Sequence, residues 1–374
     1  MLKVYFSILK SCWKNFGVKT TFLQWLFLFP LFLAFTHLTL FLDRIFFPQY
    51  RQVQVKEPIF IIGNPRSGTS FLHCLLTQTK EFAAFETWQL LFPALTARTL
   101  LKPLIDYLIK KDLGILVPAQ VGHELALDQV EHDEFLFFHQ LDTQFVTALS
   151  PLGFDTREYP ELRFHDKQPE SRRCFSIRFL KSCLQRQIYY TQNEQVIAHL
   201  HFSIHRLKTL RETFPDAKFI YLVRSPYATI SSHLSLNYNT LKHRKITQKI
   251  SPNKLKLYLD RRYRYDIELY RYFSKLRQER VIPEDRLLIL KYDELRSSLP
   301  NAFAKILAFT GIKPSDQLRQ VVENQAQIQK NYKRQHKVMS LEEFDLTQEQ
   351  IANDLSFVFE EYGFDKNQVP KAAV

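Results

Sequence analysis

The sequence predicts an α/β protein of three layers, a central and mostly parallel sheet with helices on both faces, preceded by a hydrophobic helical segment. Three observations carry this. Short apolar runs at residues 58–62, 218–223 and 286–290 alternate with helix-like stretches, the pattern of strands buried on both sides. The first run opens into Gly63-Asn64-Pro65-Arg66-Ser67-Gly68-Thr69-Ser70 and then Phe71-Leu72-His73-Cys74-Leu75-Leu76, which reads as strand, tight polar loop and helix start. Residues 21–42 carry no Asp, Glu, Lys or Arg and are dense in Phe and Leu.

Taken in order, the uncharged run reaches the length of about 20 residues that crosses a bilayer. Pro30 kinks it near the middle, Lys3, Lys10, Lys14 and Lys19 precede it, and Asp43 and Arg44 follow. It is longer than a signal-peptide core and lacks a small-residue cleavage site. Two arrangements fit. A single pass places the N-terminus in the cytoplasm and the rest on the far side, whereas an interfacial anchor leaves everything cytoplasmic. Residues 1–50 are therefore read as a membrane-associated segment and 51–374 as one α/β domain.

After the polar loop, residues 87–116 read as a long helical region. The cluster Glu131-His132-Asp133-Glu134 then runs into Phe135-Leu136-Phe137-Phe138. Residues 178–211 read as two helices flanking a break at 196–201. The second strand ends in Arg224-Ser225-Pro226, and proline just inside a helix start predicts a helix over 227–236. The third strand leads into Tyr292-Asp293-Glu294-Leu295 and a helix over 300–309.

The chain of 374 residues is 45% hydrophobic and 24% charged, so it can bury a sizeable core. Its net charge of +13 suits nucleic acid, an anionic membrane or a polyanionic small ligand. No zinc-finger spacing, RNP-like aromatic motif or basic zipper is present, which argues against nucleic acid. The four cysteines show neither C-x-x-C nor a metal-ligand spacing, and no metal is expected.

The loop at residues 63–70 points backbone N–H groups and a helix N-terminus at an anion. Both glycines of the nucleotide-triphosphate P-loop are in place, but Thr69 stands where that motif has its lysine, and the cation sits inside the loop as Arg66. The second strand ends in Arg224-Ser225, with Ser231 and Ser232 further on. Ligands of open parallel sheets sit beyond the carboxyl ends of the strands. Two such loops suit a nucleotide phosphorylated at two positions, and no Walker-B-like aspartate ends either strand to hold magnesium.

On these residues the chain resembles the sulfotransferases that use 3′-phosphoadenosine 5′-phosphosulfate (PAPS), most of all their PRSGT-type branch and more distantly the tyrosylprotein and carbohydrate enzymes. Pro65-Arg66-Ser67-Gly68-Thr69-Ser70 is similar to their 5′-phosphosulfate motif, and Tyr221-Leu222-Val223-Arg224-Ser225-Pro226 through Ser232 to their 3′-phosphate motif. Phe214-Pro215-Asp216-Ala217-Lys218 and Leu290-Lys291-Tyr292-Asp293-Glu294-Leu295 also fit. The resemblance implies a P-loop-like sulfotransferase domain over 51–374 that takes PAPS as co-substrate and moves its sulfuryl group in line to a hydroxyl or amine. It implies donor binding by Arg66, Ser67, Gly68, Thr69, Ser70, Arg224 and Ser232, with Arg66 stabilising the leaving group. The acceptor is open: small molecule, lipid, carbohydrate or protein.

The resemblance offers several bases. Glu86, in Phe85-Glu86-Thr87-Trp88, falls near the glutamate of the tyrosylprotein branch, with Trp88 where that branch has arginine. His199 resembles the histidine of a Lys-Thr-His-Leu-Pro motif, although Ala198 and His201 break the flanking pattern. The Glu131–Glu134 cluster resembles a Glu-Glu-Asp-Glu-Phe run of the branch and stands as a third candidate or as an organiser of the acceptor site. Cytosolic relatives close over the 3′-phosphate with a glycine-rich Arg-Lys-Gly segment; this chain lacks those glycines, and Lys333, Arg334 and Lys337 read as an ordinary solvated basic loop, with substitution for that segment as the alternative. The rival readings are a P-loop-like nucleotide kinase or NTPase, and a non-catalytic membrane scaffold with a degenerate nucleotide pocket.

Overall fold

In the computed structural model, which describes residues 1–330 and 338–367, six strands form: β1 (Ile59–Gly63), β2 (Ile115–Val117), β3 (Leu125–Ala126), β4 (Ile197–His199), β5 (Lys218–Val223) and β6 (Leu287–Lys291). Four of them make a parallel sheet in the order β4-β1-β5-β6, and β2 and β3 pair as a separate antiparallel hairpin. Alternation along each strand sends side chains to both faces. Phe60, Ile62, Phe219 and Tyr221 pack with Leu180 and Leu184 of helix Glu170–Thr191 and with Leu269 and Phe273 of helix Pro252–Gln278. Ile59, Ile61, Ile220 and Leu222 pack with Leu72 and Leu75 of helix Thr69–Thr77 and with Phe303 and Ile306 of helix Leu299–Thr310. Each such side chain stabilises the fold by about 1.5–3 kcal/mol on full burial. The three layers are as the apolar runs require.

The structure corrects several boundaries. The expected break at 196–201 holds β4, whose residues pair Ile59 with Ile197 and Ile61 with His199. Ile-Ala-His is too short and too mixed to read as a strand alone, and the sheet buries it completely. Residues 87–116 are not one helix but two, Thr87–Leu91 and Leu95–Lys110, followed by β2. Pro93 explains the split, because the residue before a proline avoids helical geometry, and Phe92 has φ −123° and ψ 77°. The helix expected over 227–236 runs from Pro226 to His243. Helix Pro252–Gln278 has no counterpart among the sequence expectations, since its buried stripe is built of tyrosines among arginines and lysines.

The N-terminal residues lie against the α/β core. Helix Leu2–Phe16 inserts Val4 and Ile8 among Leu141, Val146 and Leu152, and Ser11 Oγ donates to Asp155 Oδ1 at 2.7 Å. Helix Thr20–Phe46 is long and apolar enough to cross a membrane by length and composition. It is continuous through Pro30, with a π-helical turn at Gln24–Leu28. Proline cannot bond the carbonyl one turn back; Tyr5 Oη donates to Trp25 O at 2.9 Å and to Leu26 O at 3.4 Å.

At the end of this helix, buried Asp43 accepts from Leu95 N (3.0 Å), Thr96 N (2.7 Å) and Arg186 Nε (2.6 Å). One carboxylate thus satisfies the start of helix Leu95–Lys110 and a buried guanidinium. Asp43→Ala strands Arg186 and is expected to cost about 3–5 kcal/mol. Urea unfolding of the two proteins checks this.

Candidate active site

The site begins where β1 ends. Gly63 has φ +151°, and a Cβ there would meet Leu222 O of the neighbouring strand at 2.5 Å. Gly68 has φ +100°, and its Cβ would meet the Tyr292 ring at 2.6 Å. Only glycine fits either place. Arg66 is held at φ +69°, a left-handed backbone that costs an arginine about 1–2 kcal/mol. The loop accepts that strain and turns the first N–H groups of helix Thr69–Thr77 toward the space beyond the sheet. Ser67 Oγ is buried and lacks a hydrogen-bond partner among the described residues, and Asn64 Nδ2 ties the loop to Asp266 O at 2.9 Å.

Two strand ends meet here. Arg66 Nε donates to Ser232 Oγ at 3.0 Å, Arg66 Nη1 to Gly122 O at 3.2 Å, and Arg224 Nη1 to Arg66 O at 3.1 Å. The Arg224 guanidinium also lies over the Tyr292 ring, 4.4 Å from its centre. The residues expected to bind a donor nucleotide, Arg66, Ser67, Gly68, Thr69, Ser70, Arg224 and Ser232, are therefore neighbours around one loop. Arg66, Gly68, Thr69, Ser70 and Arg224 line a cavity of about 400 Å³, whose wall also holds Arg244 and Arg262 and has no Asp or Glu among the described residues; Ser67 and Ser232 are buried off that lining. Positive charge without a carboxylate in the wall suits a polyanion.

The lining also includes apolar Val117, Leu125, Phe135, Phe145 and Leu149, and it carries His123, His132 and His201. Behind it lies Glu131, 4% exposed. Its carboxylate meets His123 Nε2 at 2.8 Å and His132 Nε2 at 2.9 Å. Burial opposes ionisation of Glu131, but the charges and hydrogen bonds of His132 and His123 outweigh it and hold the carboxyl well below its usual range. His132 Nδ1 is 2.8 Å from His199 Nδ1, so both its ring nitrogens are engaged. His123 Nδ1 has no hydrogen-bond partner among the described residues, and its ring faces the cavity.

The candidate bases separate on this geometry. His199 is 1% exposed and sits behind His132 rather than on the cavity wall. Burial, then the imidazoles of His132 and His201, keep it neutral far below pH 6.5. Glu86 also lies off the wall: it caps helix Thr87–Leu91, and its oxygens accept from Lys80 Nζ at 2.7 Å and Trp88 Nε1 at 2.8 Å. Trp88 thus serves the glutamate as a donor where the tyrosylprotein branch carries arginine. In the acidic cluster, Asp133 accepts from His199 N at 2.6 Å, and Glu134 accepts from Thr143 Oγ1 and Ser203 Oγ. Only Glu131 reaches cavity-lining groups. Sequence reasoning passed over His123, whose one signal is its place eight positions before Glu131. Lys333, Arg334 and Lys337 lie outside the described residues.

A parallel α/β sheet with two arginine-bearing loops at the carboxyl ends of its strands defines a class of anion-binding α/β proteins, and comparison narrows it. Residues 58–316 match a family model described as the sulfotransferase family, and the chain belongs to that family. It is 30% identical over 184 residues to the omega-hydroxy-beta-dihydromenaquinone-9 sulfotransferases of Mycobacterium bovis and Mycobacterium tuberculosis, covering 48% of this chain and 45% of each relative. The matched part thus spans about half the length of the curated relatives. Among solved structures, a sulfotransferase from Mycobacterium tuberculosis superposes with a TM-score of 0.68 at 18% identity, covering 95% of this chain and 92% of that one. A second, from Mycobacterium avium, gives 0.65 at 17% identity, covering 87% and 82%. These share the fold.

Proposed function

We propose that the chain transfers a sulfuryl group from PAPS to the hydroxyl of an apolar small molecule. The observation that carries this is the meeting of Arg66 and Arg224, with Ser232 bonded to Arg66, at a cavity whose wall has no carboxylate among the described residues. Bound PAPS supplies an activated sulfuryl group on its 5′-phosphate. Arg66 and the N–H groups at the start of helix Thr69–Thr77 hold the 5′-phosphosulfate and stabilise the charge that grows on the leaving oxygen. Arg224 and Ser232 hold the 3′-phosphate, and Ser67 Oγ supplies a further donor. Thr69 in place of a P-loop lysine, and a wall without acids, disfavour the nucleotide kinase or NTPase.

His123 is assigned as the base, in preference to Glu86 and His199. Glu131 fixes its Nε2, which leaves Nδ1 to take the acceptor's proton, the orienting logic of carboxylate–imidazole pairs. As the acceptor oxygen bonds to sulfur, the bridging S–O bond breaks and its electrons stay on the 5′-phosphate. The products are a sulfate ester and adenosine 3′,5′-bisphosphate. The apolar wall suits an acceptor like that in the name of the mycobacterial relatives, a hydroxyl on a largely apolar body. In this reading residues 1–50 attach the chain to a membrane and residues 51–374 carry the chemistry.

His123→Asn keeps a polar side chain but cannot act as a base near neutral pH. Turnover is expected to fall about 10²–10⁴-fold, with bisphosphate binding unchanged. Single-turnover assays with labelled PAPS test it, and near-normal transfer by the variant contradicts the assignment.

A further inference from the structure

Among the described residues, the exposed large apolar side chains gather in one part of the chain: all but Leu91, Phe175, Tyr190 and Ile328 fall within residues 1–46 and 100–116. Helix Thr20–Phe46 is two-faced. Leu33, Thr36, Thr39 and Asp43 are buried against the core, while Leu31, Leu38, Phe41 and Ile45 are exposed. The buried face is engaged along most of its length. Phe29 meets Phe138, Phe32 meets His139, Phe35 meets Phe92, and Asp43 pairs with Arg186.

A helix packed lengthwise on an α/β domain cannot cross a bilayer without drawing Arg186, Phe138 and His139 in with it or tearing those contacts apart. Its 27 residues lie along the protein instead. The exposed apolar surface also extends beyond the N-terminal segment. Neighbouring helix Leu95–Lys110 exposes Leu100, Leu104 and Tyr107 on one side, and the β2 strand exposes Ile115 and Leu116. The next residue, Val117, lines the cavity, as do Val121 and Leu125. Lys3, Lys10, Lys14, Lys19, Lys110 and Lys111 are exposed within or beside these elements.

We propose that this apolar surface beds into one leaflet of an anionic lipid bilayer, with helix Thr20–Phe46 lying flat rather than crossing. Exposed apolar side chains enter the acyl boundary, and the lysines meet anionic headgroups. The N-terminus and the α/β domain then lie on the same side of the membrane. The β2–β3 hairpin joins the bedded surface to the cavity, so an apolar acceptor reaches the site from lipid. That last clause rests on the proposed sulfuryl transfer; the docking does not.

Two measurements on the full chain test the docking. In the first, Lys19→Cys and Gln52→Cys, each in a background with the native cysteines replaced by serine, are probed in sealed membrane vesicles with an impermeant maleimide. Both positions are exposed and flank the helix. Labelling of both from the same side is expected, and labelling from opposite sides overturns the proposal. In the second, flotation with vesicles of phosphatidylcholine and phosphatidylglycerol is compared for the native chain, Leu104→Glu and Ile115→Glu. These side chains are 54% and 55% exposed, so the substitutions leave the core alone. Vesicle binding is expected to fall at least about tenfold in each variant, with adenosine 3′,5′-bisphosphate binding unchanged. Unaltered flotation of both variants overturns the proposal, as does a stable dimer that buries this surface and ignores vesicles.

Discussion

Arg66→Ala is expected to lower kcat/KM by about 10³-fold, because it removes a preorganised cation from the point where leaving-group charge develops. The guanidinium also joins the two halves of the site: it bonds Ser232 on helix Pro226–His243 and Gly122 O between β2 and β3, while the backbone carbonyl of Arg66 accepts from Arg224. The loss should therefore appear in turnover and in bisphosphate affinity together. Arg224→Ala, by contrast, is expected to weaken bisphosphate binding by roughly 10–100-fold, the worth of a hydrogen bond to a charged group, with a smaller effect on turnover of the saturated enzyme. Steady-state kinetics with varied PAPS separates the two variants, and equal effects on KM alone contradict the role given to Arg66.

The second large effect is acid destabilisation. Burial foremost lowers the pKa of His73, His139, His165 and His205 to about 4, and holds His199 and His201 well below their ordinary value. The unfolded chain takes up protons at these rings below about pH 6.5, while the folded chain does not. Stability is therefore complete above pH 6.5 and is lost as pH falls toward 4. Each ring contributes about 1.4 kcal/mol per pH unit across that window. Buried Asp133, Glu134 and Asp266 work in the opposite sense, because burial raises their carboxyl pKa and the fold favours their protonated form. The imidazoles outnumber them, and the melting temperature is expected to fall on the order of 5–10 °C between pH 7 and 5.5. Calorimetric scans across that range check it; a flat or rising profile shows that the carboxyls dominate.

The legible parts of the fold were those with local signatures. The 58–62 and 218–223 runs are apolar on both faces because both faces are covered, and Gly63 and Gly68 stand where a Cβ would strike Leu222 O or Tyr292. The same local chemistry marked Arg66, Arg224 and Ser232, which the fold brings together. What stayed hidden depends on tertiary contact. β4 is three residues long and exists because β1 pairs with it. His123 gains its meaning from Glu131, and His199, singled out for its neighbours in sequence, is screened from the cavity by His132. Glu86 sits at a suggestive spacing from Arg66, yet its oxygens are taken by Lys80 and Trp88. Spacing cannot reveal that. The packing of one face of helix Thr20–Phe46 on the domain was equally hidden, since a crossing helix and an interfacial one can share one composition and differ only in which face the protein covers.

The most direct measurement of the central claim is isothermal calorimetry of the purified chain with adenosine 3′,5′-bisphosphate and, separately, with ATP and magnesium. A site built from Arg66, Arg224 and Ser232 without carboxylates should bind the bisphosphate tightly and ATP–magnesium weakly. Preference for ATP–magnesium, or no binding of the bisphosphate, would contradict the account.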